Sequence, residues 1–272
     1  MVRVEPVEAL DQPELAPYRT MRRQHDQREQ GIFVAEGEKV VRRLIESDVE
    51  VVSLLLPEKW FHDYEGILAK RPEKEIRAFT AERKLLEQLT GFSMYQGVLA
   101  VGRVPPAPSL SRVIESAARP WLFLAVEGLS SAENMGGLVR SAAAFGVNAL
   151  ISGETCCSPW LRRSVRSSMG TIFKLPIIEP KTLRSTLQEA KDNGMRIVAA
   201  HPHTDERKLS QADFRGDTVI VLGSEGSGIS KKVLDLCDDE VVIPMHHGVD
   251  SLNVGTAGAV FLYEASRQRG HA

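Results

Sequence analysis

The chain has 272 residues, 43% hydrophobic and 26% charged, the make-up of a folded globular protein and not of a disordered one. Its formal charge is −2, from 34 Lys+Arg against 36 Asp+Glu, so there is no overall basic excess and an anionic partner must be met by local clusters. The cysteines Cys156, Cys157 and Cys237 have neither the number nor the spacing of a disulfide framework or metal clip. The apolar runs are too short for a bilayer and the first residues lack a signal-peptide core, so a cytoplasmic protein is expected.

In chain order, residues 1–30 are polar and weakly patterned, with a short helix expected around Tyr18 to Gln30; they read as an N-terminal extension. A regular alternation begins at Gly31. Phe33 to Ala35 is extended, and Glu38 to Ser47 places Val40, Val41, Leu44 and Ile45 on one helical face. Val49 to Leu56 is β-rich, Phe61 to Ala69 helical, Ile76 to Phe79 extended, a helix follows Thr80, and Gln96 to Gly102 is a strand. Residues 31–103 thus make a small α/β unit. Pro105, Pro106 and Pro108 then interrupt both kinds of regular structure, so 104–118 reads as a linker ending in a short helix from Leu110.

The remainder, 119–272, opens with the apolar strand Trp121 to Val126, a Gly/Asn-rich turn from Ser130 to Gly137 and a helix to Phe145. Strands at Ala149 to Ser152, Leu175 to Ile178, Ile197 to Ala200, Val219 to Leu222 and Glu240 to Ile243 alternate with helices, the last from Leu252 to Arg269. Continuous apolar strands alternating with helices predict a mostly parallel sheet covered on both faces, with its ligand site at the carboxyl ends of the strands.

The loops after Val126, Leu222 and Ile243 are therefore the candidate site. Gly223-Ser-Glu225-Gly226-Ser-Gly228 has glycines in the wrong order for a dinucleotide fingerprint, and Ile229-Ser230 stands where a P-loop needs Lys-Ser/Thr. His201-Pro-His203 and His246-His247 have no carboxylate or thiol at metal-ligand spacing, so no metal is expected. Two basic clusters stand out: Arg19, Arg22, Arg23 and Arg28 near the start, and Arg162, Arg163 and Arg166 between Pro159 and Met169. Each is either a solvated helix face or a phosphate-contacting patch.

Three segments together resemble the SpoU/TrmH family of RNA ribose 2′-O-methyltransferases, within the SPOUT superfamily. They are Asn134-Met-Gly136-Gly-Leu-Val-Arg140 (N-x-G-x-x-x-R), Leu222-Gly223-Ser-Glu225-Gly226 (L-G-S-E-G), and Ile243-Pro-Met245 with Ser251-Leu252-Asn253-Val254 (I-P-M and S-L-N-V). Phe33-Val-Ala-Glu36-Gly37 gives a looser likeness to the family's small substrate-binding domain. The chain departs from the pattern at Ser131-Ala132, where the family usually has Asp-Pro, at Glu127, where Asp is frequent, and at Gly255, where Ser is frequent.

The resemblance implies a C-terminal domain with a trefoil knot, S-adenosylmethionine as cofactor, a structured RNA substrate (rRNA before tRNA), and a homodimer through the C-terminal domain. It makes Asn134, Arg140, Glu225, Ser251 and Asn253 the catalytic set. Leu222, Gly223, Gly226, Ile243, Met245 and Leu252 become the cofactor contacts, and Arg22, Arg23, Arg162, Arg163 and Arg166 the RNA contacts. A guanidinium stays protonated, so Arg140 is expected to bind phosphate and stabilise a developing alkoxide, with the proton going to a phosphate oxygen or water. In the last helix Gly255, Ala257, Gly258 and Ala259 allow close approach of another helix, in the same chain or in a second copy. The alternative function is a non-catalytic RNA-binding or ribosome-assembly factor that keeps the fold.

Overall fold

A computed structural model describes residues 1–21, 23–90, 97–202 and 207–270. The chain forms two compact units, one of Met1–Pro106 with Trp160–Phe173, the other of Ala107–Pro159 with Lys174–Ala272.

The first unit has strands β1 (Val2–Pro6), β2 (Ile32–Glu36), β3 (Val51–Leu56), β4 (Ile76–Thr80) and β5 (Leu99–Arg103). Its helices are α1 (Ala16–Arg19), α2 (Gln24–Glu29), α3 (Glu38–Ile45), α4 (Glu58–Leu68) and α5 (Arg83–Thr90). The sheet runs β1-β4-β3-β5-β2, parallel among the first three strands and antiparallel from β3 to β5 and β5 to β2. β1 was not expected. Its burial is irregular and it pairs on one side only, so the sequence lacks the apolar signature of a central strand. Val7, Leu15, Tyr18 and Met21 are buried with Val34, Leu55, Phe79 and Leu99, so this stretch, read from sequence as an extension, contributes side chains to the core of the unit. The helix expected over Tyr18 to Gln30 is divided into α1 and α2.

The second unit begins with α6 (Leu110–Ser116), whose Leu110 and Val113 are buried in its core; the end of the proline-rich segment is thus part of the domain. It continues with β6 (Leu122–Val126), α7 (Ala132–Ala144) and β7 (Ala149–Ser152). α8 (Arg162–Ser167) belongs to the first unit. Then follow β8 (Ile177–Ile178), α9 (Leu183–Asp192), β9 (Arg196–Ala200), β10 (Arg207–Lys208), β11 (Thr218–Leu222), α10 (Lys231–Leu234), β12 (Asp239–Val242) and α11 (Val254–Gln268). The sheet is parallel throughout, in the order β10-β12-β9-β11-β6-β7-β8. β6 and β11 at its centre are buried at every residue, which explains their unbroken apolar sequences.

α7 starts earlier than the glycines suggest. Ser131 is its N-cap and accepts from the Asn134 backbone N–H at 3.2 Å, so Asn134 lies in the first helical turn and not in a loop. Ser131 and Ala132 meet the local needs of the Asp-Pro pattern: a short oxygen-bearing cap, then a residue compatible with the first helical position. Gly258 of α11 serves packing within the chain. A Cβ there would lie 2.4 Å from Leu138 Cδ2 of α7 and 2.9 Å from Leu222 Cδ1, so its absence brings the two helices together over β11. Among the described residues no helix is long and apolar enough to cross a membrane.

Candidate active site

Three carboxyl-terminal strand ends of the parallel sheet, those of β9, β11 and β12, converge in the second unit with the amino-terminal start of α11. They enclose a cavity of about 310 Å³, within the range of small-molecule sites. Leu222 lines it from the last position of β11, Gly223, Glu225 and Gly226 from the loop that follows, Ile243 and Met245 from the segment after β12, and Ser251 and Leu252 from the entry to α11. All six expected cofactor residues therefore border one cavity. Ala200, His201 and Pro202 at the end of β9, and Ala257 and Phe261 on α11, line it too; the sequence draws attention to His201 only as a metal candidate and to Ala257 only as a packing residue, and to Ala200 and Phe261 not at all. The rule that ligands lie at strand carboxyl ends applied to β9 as well, but no glycine-rich loop drew attention to it.

The loop after β11 folds back on itself. Ser224 and Gly228 exchange backbone hydrogen bonds of 3.1 Å in both directions. A Cβ on Gly223 would lie 2.1 Å from the carbonyl carbon of Gly228, a collision with backbone that no rotamer relieves. Glycine is thus required for this turn, which presents main chain to the cavity. Glu127, at the end of β6, holds the far end of the loop: its carboxylate accepts from the Ser230 N–H and hydroxyl, each at 2.7 Å.

At the cavity edge the three segments join through side chains. The Asn134 Nδ2 donates to Glu225 Oε1 at 2.7 Å, and the Asn253 Nδ2 donates to Asn134 Oδ1 at 3.1 Å. The Asn253 Oδ1 in turn accepts from the backbone N–H groups of Gly255 at 2.9 Å and Thr256 at 3.4 Å, capping α11. The capping function fixes the amide orientation of Asn253, because its oxygen must face the helix N–H groups and its nitrogen must face Asn134. Each amide passes that direction on, and Glu225 is the terminal acceptor.

Arg140 is placed differently. It is exposed, six residues beyond Asn134 on α7, hence about 9 Å along the helix and about 120° round it. It does not line the cavity of its own chain, and it has no ion-pair or hydrogen-bond partner among the described residues. The half-buried thiol of Cys157 is pushed up to about 11, by burial first and then by neighbouring Cys156 and Glu225, which disfavours its thiolate form at neutral pH. No group of three metal-ligating side chains occurs among the described residues. His203 lies outside the described residues.

The basic residues divide. Arg162 is turned to the buried Glu36 of β2 as an ion pair, and Arg166, exposed, pairs with the other Glu36 oxygen at 3.0 Å. Trp160 and Phe173 pack on Phe33, with ring centroids 5.1 and 5.6 Å away. The Arg162, Arg163 and Arg166 cluster thus sits in the first unit, and Arg162 in particular has a structural partner; Arg163 is exposed. Arg23 is exposed, and Arg22 lies outside the described residues.

The sequence profile of the SpoU rRNA methylase family matches residues 121–263. An uncharacterized tRNA/rRNA methyltransferase of Mycobacterium bovis is 32% identical over 88% of this chain and 82% of its own length. A 23S rRNA (guanosine-2′-O-)-methyltransferase, RlmB, of Ralstonia nicotianae is 31% identical over 71% of this chain and 78% of its own. Among solved structures, the SpoU methyltransferase AviRb of Streptomyces viridochromogenes superposes with a TM-score of 0.81 at 27% identity, covering 95% of this chain and 98% of AviRb. A second structure of that enzyme, in complex with AdoMet, matches with the same TM-score at 25% identity and the same coverage of both chains.

Proposed function

The chain belongs to the SpoU rRNA methylase family, and on that premise we propose that it methylates a ribose 2′-hydroxyl of ribosomal RNA with S-adenosylmethionine. The relative named as a 23S rRNA 2′-O-methyltransferase and the AdoMet complex of AviRb support the reaction and the cofactor. The carrying observation is the Asn253–Asn134–Glu225 chain at the mouth of the cavity, since it links all three motifs in one place.

The residues present fit the cofactor. Leu222, Ile243, Met245, Leu252 and Phe261 give apolar walls for a purine and an aliphatic chain, and the Gly223 turn offers main-chain donors and acceptors without a side chain in the way. Bound S-adenosylmethionine supplies an electrophilic methyl group on a sulfonium centre. In this reading Glu225 and Ser251 orient the ribose at the cavity mouth, supported by the Asn134–Glu225 hydrogen bond and by both residues lining the cavity. Arg140 binds a neighbouring phosphate and stabilises the oxyanion developing on the 2′ oxygen; a phosphate oxygen or water takes the proton. Because Arg140 does not line its own cavity, we assign it to the cavity of a second copy, in a homodimer formed through the second unit.

Incubation with labelled S-adenosylmethionine and unmodified bacterial 23S rRNA should yield label in alkali-resistant dinucleotides, the mark of 2′-O-methylation. Label confined to bases would overturn the reading, and cofactor binding without transfer would favour the assembly-factor alternative. Arg140→Ala should lose at least about 100-fold in rate, the scale of an oxyanion-stabilising group, with S-adenosylmethionine affinity kept. Near-normal turnover would remove Arg140 from the mechanism.

A further inference from the structure

The segment between Met245 and Ser251, both lining the cavity, carries a tight turn that the cofactor and catalytic assignments leave unexplained. The N–H of Val249 bonds the carbonyl of His246 at 3.3 Å, closing a four-residue turn. The two central residues are both left-handed, His247 at φ 58° and Gly248 at φ 72°. Successive positive φ values are those of a type I′ turn, a conformation dominated by Asn, Asp and Gly. Gly248 suits it. His247 does not need to be there: glycine would adopt the same backbone without a Cβ penalty.

The turn also buries none of its side chains. His246, His247, Gly248, Val249 and Asp250 are all exposed, Val249 at 51%, and the two imidazoles stand side by side with centroids 6.3 Å apart. Neither ring has a hydrogen bond or ion pair among the described residues. His247 thus holds a left-handed backbone beside a cavity without a hydrogen bond or ion pair of its ring among the described residues, an arrangement that leaves both imidazoles available to a ligand.

We propose that His246 and His247 form an RNA-contacting tip that grips the strand beside the target ribose. This rests on the RNA methyltransferase reading above. An imidazole N–H can donate to a phosphate oxygen, its ring face can stack on an unpaired base, and the adjacent Val249 adds apolar surface. The turn fixes the direction in which the rings project, and its flanking residues tie it to the cavity wall, so RNA held here is held next to the methyl donor. Both histidines are positioning residues.

The test uses the full chain and in vitro-transcribed bacterial 23S rRNA. His247→Gly keeps the turn and removes the ring; His246→Ala with His247→Gly removes both. Expected are an unchanged or raised melting temperature, S-adenosylmethionine Kd within about twofold, and RNA Kd and KM raised about tenfold with little change in kcat. A purely structural role for His247 predicts the opposite pattern: His247→Gly would leave RNA binding intact. RNA affinity within about twofold of the parent in the double variant overturns the proposal, as does an equal loss of cofactor affinity, which would place the turn in the cofactor site. Failure of the parent chain itself to methylate or bind this RNA would instead overturn the reading beneath it.

Discussion

At the scale of single residues, Glu127 shows how a departure from a family pattern is absorbed. It stands where Asp is frequent, and its carboxylate reaches both the Ser230 N–H and its hydroxyl at 2.7 Å. These bonds anchor the end of the loop that begins at Gly223 and lines the cavity. Glu127→Ala leaves the Ser230 N–H without its partner and should cost about 1–2 kcal/mol of stability, given two charge-assisted bonds in a partly exposed site. It should also weaken S-adenosylmethionine binding about tenfold, measured calorimetrically, because the loop must then be ordered by the ligand itself. Unchanged affinity would show that the Ser224–Gly228 pairing suffices to shape the loop. The six residues expected at the cofactor are legible through the short motifs the chain shares with the family, and all of them border the one cavity. Arg140 was legible as a motif member only, since a helix periodicity cannot say which molecule's cavity the guanidinium serves.

At the scale of elements, the packing of α7 on α11 depends on Gly258. Gly258→Ala would press its methyl into Leu138 and Leu222, both flexible at their tips, and should destabilise by about 1–3 kcal/mol in thermal or denaturant unfolding. Leu138→Ala in the same chain should recover part of that loss, since the two changes share one volume and so are not additive. Strictly additive losses would mean that the helices do not meet at this point in solution. The sequence showed the small residues of α11 but left open whether they faced another helix of this chain or of a second copy; Leu138 lies 120 positions away in the chain, beyond any local pattern. α8 is a related case. Its arginines read as one exposed cluster, yet Arg162 is committed to Glu36, 126 residues earlier, and only Arg163 and Arg166 keep exposed side chains.

At the scale of the molecule, the path of the chain limits how it can be divided. The first unit takes back Trp160–Phe173 from within the second half of the sequence, burying Val165, Ile172 and Phe173 and pairing Arg162 with Glu36. A fragment of residues 107–272 would carry that segment without Phe33, Glu36 and the rest of its partners. We expect it to aggregate or to bind a hydrophobic dye, and replacement of 160–173 by a short polar linker to improve its solubility. A fragment that is monodisperse and dye-negative without that replacement would show that the segment finds other cover.

The alternation of strands and helices, the parallel character of the second sheet, the three loops at its edge and the family they resemble can all be read from the amino-acid order. Those features are written in patterns a few residues long: period, cap, turn and apolar run. Tertiary structure alone decided that β1 joins the first sheet, that residues 160–173 return to it, and that Asn253, Asn134 and Glu225 form one directed chain of hydrogen bonds. The partners in that chain are 119 and 91 positions apart. Asn253 follows β12, Glu225 follows β11 and Asn134 follows β6, so their meeting depends on the strand order β12-β9-β11-β6, which is set by how buried faces pack against one another and not by any residue's own preference.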